Sequence, residues 1–401
     1  MKKILKKSGS LLAALIILTS AQSCKKSGTN DDPQPGSGGS TGDGLPTTAL
    51  VGADNLTQWK TYKASPTNAA YNWVLIGDSY TQGNYYAWKL FYKVLNDGYA
   101  DGGSGYCSFS RVDDEGFHIM DQSIDPNVLY CTYDYTKWNY TREKTIGPDG
   151  WVTNTTATNA TITVTSKEAV NTLTIVYERP TVAQSFRYRV NGGAWTTVNL
   201  TANATTSIGT TAVDVSAATD NFTVDIDPLS VGMNFCGVIS KWGGNKMMMD
   251  KCGISGARAD YPAQNDEWNQ SMQLLAPQGA LIQYGVNEQI QDIDPAYYKT
   301  SVQNIITKLR AISPNCDIIL MSPPQTVYET SDAPRKYKQA DYAKVLYQLS
   351  LDNKTAYINL NVAFGPFAQA NSNGLFNADR THPSDKGGDL ITNTIYSALK
   401  K

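Results

Sequence analysis

Trp73-Val74-Leu75-Ile76-Gly77-Asp78-Ser79 is the stretch that decides the fold. Four consecutive apolar residues, closed by a glycine, describe a short strand buried on both faces. Gly77-Asp78-Ser79 then turns the chain. Trp88, Phe91, Tyr92 and Leu95 follow at spacings of three and four, the period of a helix. A buried strand, a tight turn and a helix form one unit of an α/β fold. In such folds ligands bind at the carboxyl edge of a parallel sheet, which is where Ser79 would sit. The following helix would aim its unpaired backbone N–H groups at the same edge, a setting that favours an oxyanion.

The same style returns after about residue 245. Met247-Met248-Met249-Asp250 and Ala280-Leu281-Ile282-Gln283-Tyr284 read as strands. Asp294-Pro295 starts a helix carrying Tyr298, Val302, Ile305 and Leu309, which stops at Ser313-Pro314. Ile318 to Met321 is a strand ending at Pro323-Pro324. A helix over 335–352, a strand from Ala356 to Leu360, and a last helix capped by Ser384 and running to Leu399 complete the series. Strands alternating with helices predict a parallel sheet with helices on both faces, a three-layer arrangement.

Residues 106–240 have another character. Ile162 and Val164 alternate with threonines, and Leu173 to Tyr177 is a strand. Phe186, Tyr188 and Val190 share one face, with Arg187 and Arg189 on the other. Asn191-Gly192 supplies the positive φ of a hairpin turn before Trp195 to Leu200 returns. Phe222 to Ile226 ends the block. Short strands with turn signals and no helix predict a β-sandwich inserted between an α/β part at 49–105 and its continuation at 241–401.

The N-terminus carries a targeting pattern. Met1-Lys2-Lys3 and Lys6-Lys7 precede an apolar run, Leu11 to Leu18, that is short for a membrane span. Leu18 to Cys24 resembles a bacterial lipoprotein signal. That resemblance implies removal of 1–23, lipid on the Cys24 thiol, and anchoring at the cell envelope on the outer membrane, facing the periplasm or the outside. Residues 24–48 are rich in Gly, Ser, Asp and Pro and read as a flexible tether. An exported chain meets an oxidising compartment. Cys107–Cys131 and Cys236–Cys252 are therefore the expected disulfide pairs, with Cys316 buried and free. No cysteine or histidine spacing suits a metal.

Among 401 residues, 41% are hydrophobic and 17% charged, which supports a sizeable core. A net charge of −2 points away from nucleic acid and from anionic membrane surfaces. Membrane contact is expected only through the lipid anchor. The 24 tyrosines and 8 tryptophans are assigned mainly to packing in β-structure.

The chain has 2 histidines. Imidazole titrates near neutrality and is the usual general base of hydrolysis. His382 has Asp379 three residues before it, near enough to orient its ring. His118, in Glu115-Gly116-Phe117-His118 within the β region, is read as structural. Asn287, after the strand ending at Tyr284, and Gly256, after the strand at 247–250, fall at the same predicted sheet edge.

Gly77-Asp78-Ser79, Gly256, Gly285-Val286-Asn287-Glu288 and Asp379-Arg380-Thr381-His382 occur in the order of the four blocks of SGNH/GDSL hydrolases, and the chain resembles that family. The likeness covers about 71–105 and 245–401. It implies a flavodoxin-like α/β/α sheet and a serine esterase mechanism. In that mechanism Ser79 is the nucleophile, His382 the base and Asp379 its orienting partner. Ser79, Gly256 and Asn287 supply the oxyanion hole, and no metal or organic cofactor is implied. The chain has Tyr80 where the family motif places leucine, and Glu288 where many members have aspartate. The expected substrate is an acylated small molecule or polysaccharide, above all an O-acetylated carbohydrate. A lipase or general carboxylesterase, a glycan O-acetyltransferase of the same fold, and a non-catalytic glycan-binding lipoprotein are the alternatives.

Overall fold

The computed structural model describes residues 44–109, 129–141, 146–166, 170–217 and 221–401. The signal 1–23, Cys24, most of the tether 24–48, and His118 lie outside the described residues.

The strand read from Trp73 to Ile76 is Tyr71–Gly77, buried at every position. Trp73 and Leu75 enter one hydrophobic cluster, and Val74 and Ile76 enter another. Successive side chains of a strand point to opposite faces, so both faces are covered. Numbered in chain order, the strands of this sheet are β1 (Leu50–Val51), β2 (Tyr71–Gly77), β3 (Met247–Gly253), β4 (Gly279–Gln283), β5 (Asp317–Ser322) and β6 (Ala356–Asn359). They lie in the order β1-β6-β5-β4-β2-β3. All neighbours run parallel except β1, a two-residue antiparallel edge strand that its length hid from the sequence reading.

Register fixes where the loops emerge. Gly77 at the end of β2 is level with Gly253 of β3 and Gln283 of β4. The loops carrying Ser79, Gly256 and Asn287 thus leave one edge of the sheet side by side.

The helices that bear on the site are α1 (Ser79–Gln82), α2 (Ala87–Leu95), α3 (Asp260–Gln264), α4 (Val286–Ile290), α5 (Pro295–Ile312), α6 (Gln339–Asn353) and α7 (Asp385–Lys400). Asp294 caps α5 through the amide of Ala296, with Pro295 in the first turn. Ser384 caps α7 through the amide of Gly387. In α2 the buried residues are Ala87, Leu90, Phe91 and Val94, so Trp88 and Tyr92 lie half-exposed beside the buried stripe.

Between α2 and β3 the strands among the described residues are antiparallel and form two sheets. In one, Phe222–Pro228 lies between Gln184–Val190 and Ile162–Ser166. In the other, Asn234–Lys241 pairs with Thr172–Glu178 and Gly105–Ser108. Ile162, Val164, Leu173, Ile175, Phe186, Val224, Phe235 and Val238 share one core between them. The inserted β-sandwich is therefore present. Arg187 and Arg189 project from the outer face, pair with Asp227 and Asp225, and each lies 4.4 Å from the Trp195 ring.

The expected disulfides are not formed. Cys107 lies against Cys131 through a thiol hydrogen bond, while Cys236 and Cys252 sit in the sandwich and in β3 as free, buried thiols. Burial pushes both of these thiols well above their ordinary value. Cys316 is buried and free. Among the described residues no helix is long and apolar enough to cross a membrane.

Candidate active site

Ser79 is the first residue of α1, directly after the turn that closes β2. Its Oγ lies 2.8 Å from His382 Nε2, across 303 residues of sequence. His382 Nδ1 lies 2.6 Å from Asp379 Oδ2. The other carboxylate oxygen, Oδ1, accepts the amides of Thr381 and His382, each at 2.9 Å. Partial burial works to raise the Asp379 pKa. The ring of His382 and the two amides outweigh it and hold the carboxyl below its usual range. An ionised Asp379 places the imidazole hydrogen on Nδ1. Nε2 is then left as an acceptor for the Ser79 hydroxyl.

Two tyrosines enclose this unit. Tyr85 stacks on the imidazole, with ring centroids 5.9 Å apart and planes 20° from parallel. Tyr80, next to Ser79, is fully buried, and its ring centroid lies 6.0 Å from that of His382. Its hydroxyl donates to the Thr381 carbonyl. One side chain thus fastens the helix carrying Ser79 to the loop carrying His382. That loop is held in an uncommon shape, with Arg380 at φ 58°. Tyr80 and Tyr85 are the residues of the site that sequence reasoning missed. The available signal was the tyrosine standing in the motif where leucine is usual.

Asp78 caps α1 by accepting the Tyr80 amide at 3.0 Å, and its other oxygen accepts from Gln283 Nε2 at 3.2 Å. Complete burial pushes its pKa up to about 8, with the buried carboxyl of Glu288 adding to the rise against those hydrogen bonds. Glu288 is itself raised to about 7 by burial. It accepts the amides of Ala259 at 2.7 Å and Gly285 at 2.9 Å. The third block is thereby tied to the Gly256 loop.

Gly256 is exposed in the loop after β3, at φ 80°. Three contacts fix this loop. Ile254 N donates to Gly77 O at 2.9 Å, Ser255 N to Gln82 Oε1 at 2.7 Å, and Asn287 Nδ2 to Ala257 O at 2.9 Å. That last bond uses one of the two amide hydrogens of Asn287 and leaves the second for a ligand. Gly253 permits the close approach. A Cβ there would lie 2.2 Å from Gln82 N. So Ser79, His382 and Asp379 are in direct contact, and Asn287 and the Gly256 loop are bound to each other and to α1. Among the described residues no group of three or more His, Cys, Asp or Glu could hold a metal ion.

The arrangement can transfer a proton from a serine hydroxyl to an imidazole whose charge a carboxylate balances. It thereby makes an alkoxide nucleophile beside backbone and amide donors. Residues 238–390 match the GDSL-like lipase/acylhydrolase family. A solved structure described as a peptidoglycan O-acetylesterase in action superposes with a TM-score of 0.68 at 16% identity. The match covers 88% of this chain and 99% of that one. An acetyl-xylooligosaccharide esterase from Geobacillus matches at TM-score 0.32 and 18% identity, over 39% of this chain and 74% of that one. A lipase/acylhydrolase from Enterococcus faecalis matches at TM-score 0.33 and 19% identity, over 39% and 76%. No curated protein sequence matches the chain.

Proposed function

We propose that the chain, whose residues 238–390 match the GDSL-like lipase/acylhydrolase family, is a carboxylic ester hydrolase with Ser79, His382 and Asp379 as its catalytic triad, and that it removes O-acetyl groups from carbohydrates outside the cell. The observation that carries the triad is the continuous hydrogen-bonded chain from Ser79 Oγ through His382 to Asp379.

Ser79 Oγ attacks the ester carbonyl while His382 Nε2 takes its proton. The carbonyl oxygen becomes an oxyanion held by the backbone N–H groups of Ser79 and Gly256 and by the Asn287 amide. His382 returns its proton to the departing alcohol as the C–O bond breaks. Water, deprotonated by His382, then attacks the acyl-serine, and acetate leaves with Ser79 restored. Asp379 stays ionised throughout and stabilises the imidazolium. Loss of a single oxyanion donor costs ~10²–10³ in turnover.

The acetyl-carbohydrate reading is supported by the likeness over most of both chains to a peptidoglycan O-acetylesterase. The basic start and short apolar run at the N-terminus, read as an export signal, are in keeping with it. Lipid attachment at Cys24 would hold the enzyme at the envelope on its tether. The assembled triad favours a catalyst over a glycan-binding scaffold.

The test is hydrolysis of p-nitrophenyl acetate by the wild type and by Ser79→Ala, followed by acetate release from acetylated xylan oligosaccharides and O-acetylated peptidoglycan. Equal p-nitrophenyl acetate rates for the two proteins would overturn the triad. Activity on p-nitrophenyl acetate with none on any acetylated glycan would overturn the substrate class. Radiolabelled palmitate should enter the wild type and not Cys24→Ala.

A further inference from the structure

Next to Gly256 lies a cavity of about 290 Å³ lined by Arg258, Asp260, Tyr261, Gln264, Asn265 and Gln291. Gly256 itself forms part of its wall, so the cavity adjoins the proposed oxyanion hole. We propose that this cavity is the subsite for a neutral sugar ring bearing the acetyl ester. The proposal rests on the acetyl-carbohydrate reading above and deepens it.

The lining decides the ligand class. A long acyl chain needs an apolar tunnel, and desolvating amides and a guanidinium against it would leave them without partners. Here the side chains are instead planar polar groups and a tyrosine. Vicinal sugar hydroxyls each donate and accept, and they match flat groups with paired donors and acceptors. A volume near the lower end of the ~300–1,000 Å³ typical of small-molecule sites suits one ring.

The groups are also held in place before any ligand arrives. Arg258 grips Asp260 with two bonds, Nε to Oδ1 at 3.1 Å and Nη2 to Oδ2 at 2.7 Å. Its Nη1 donates to Gln291 Oε1 at 2.6 Å, which leaves the Gln291 amide hydrogens for a ligand. Gln264 Nε2 donates to the Tyr297 hydroxyl at 2.6 Å, and that hydroxyl donates to Asp260 Oδ2 at 3.1 Å. Such a network lowers the ordering cost of binding. Arg258 and Asp260 cancel each other's charge, so the site suits a neutral sugar and not a uronate or a phosphate. Tyr261 forms the wall on the side of the sandwich. A Cβ on Gly150, at φ 70°, would stand 2.6 Å from its hydroxyl. The inserted domain therefore packs behind one wall of the subsite.

Gln291→Ala and Gln264→Ala test the assignment, because both side chains are exposed and their loss leaves the core intact. Acetate release from acetylated xylan oligosaccharides and hydrolysis of p-nitrophenyl acetate are measured on the full chain. The expected result is that kcat/KM falls at least tenfold more on the oligosaccharides than on p-nitrophenyl acetate in the double variant. Arg258→Lys, which keeps charge but loses the paired geometry, should show the same bias. Equal losses on both esters, or none, in a wild type that does cleave the oligosaccharides would overturn the subsite alone. A wild type inactive on every acetylated glycan would overturn the carbohydrate reading and the subsite with it.

Discussion

Tyr80→Phe removes one oxygen atom and separates positioning from packing. The ring stays, so the core around it and the contact with His382 are retained. What is lost is the bond to the Thr381 carbonyl. Thr381 is buried, so that carbonyl would face apolar surroundings unpaired, at a cost of about 1–3 kcal/mol. Thr381 lies between Asp379 and His382, and its amide is one of the donors to Asp379. Arg380 before it holds a left-handed conformation that surrounding contacts must sustain. Releasing the carbonyl lets this loop relax and carries His382 Nε2 away from Ser79 Oγ. At 1.36 kcal/mol per factor of ten, the lost bond sets a ceiling of about a hundredfold on kcat. The expected fall is roughly tenfold, since part of the loss appears as lower stability. KM should change little, because Tyr80 is fully buried and touches no substrate. Steady-state hydrolysis of p-nitrophenyl acetate and a thermal melt on the same preparation give both readouts. Unchanged kcat with a lowered Tm would refute the reasoning and leave the hydroxyl a purely structural role. Tyr80→Leu, which installs the commoner residue of the motif, should do no better than Phe, since it also lacks the hydroxyl.

Asp379→Asn should lower kcat by roughly 10³–10⁴, because an amide cannot hold Nδ1–H in the required tautomer; far-ultraviolet circular dichroism should show the fold intact. Gly253→Ala forces a Cβ to within 2.2 Å of Gln82 N. Activity should fall with a stability loss of about 1–3 kcal/mol by urea unfolding, as α1 is pushed from its seat. Stability should also fall as pH rises. The folded-state pKa values of Asp78, about 8, and Glu288, about 7, stand above the unfolded values, so the native state binds protons more tightly than the unfolded chain. Their contribution is full below about pH 4 and is lost progressively up to about pH 8. The urea midpoint at pH 8.5 should therefore lie below that at pH 5, and Asp78→Asn should flatten the difference. A midpoint that rises with pH would contradict the sign.

What the sequence disclosed was local. The run Trp73 to Ile76 identified a doubly buried strand because its neighbours on both faces must be apolar whatever they are. Asp379 and His382 were legible because they form a short local block that follows the other three in order. Tyr80 was not, since its partner Thr381 lies 301 residues away and only the fold brings them together. Glu288 was seen as a substitution in a motif. Its tie to Ala259 across 29 residues, which braces the Gly256 loop, belongs to tertiary structure. Of the cysteine pairs, Cys107 and Cys131 are brought together as thiols without a disulfide. Cys236 lies on a strand of the sandwich and Cys252 on the central sheet; their side chains enter one hydrophobic cluster and both stay free.

The long separation of Ser79 from the rest of the site also has a physical account. The chain leaves the α/β part after α2 and returns at β3, and the two ends meet. Asp101 bridges Met247, and Gly102 N donates to Met247 O at 2.8 Å. An insertion whose ends are adjacent asks the host sheet only to close a loop, and that cost grows slowly with length. The sandwich fills its own core and needs no side chains from the sheet to complete it. It still packs against the elements beside the proposed subsite, where Gly147 N donates to Ser271 Oγ and Ile208 N to Gln270 Oε1. A domain that has its own core yet packs behind Tyr261 can alter the support of that wall without lining the cavity itself. Ser79, His382 and Asp379 need not move when it does, because their bonds run only through α1 and the loop before α7.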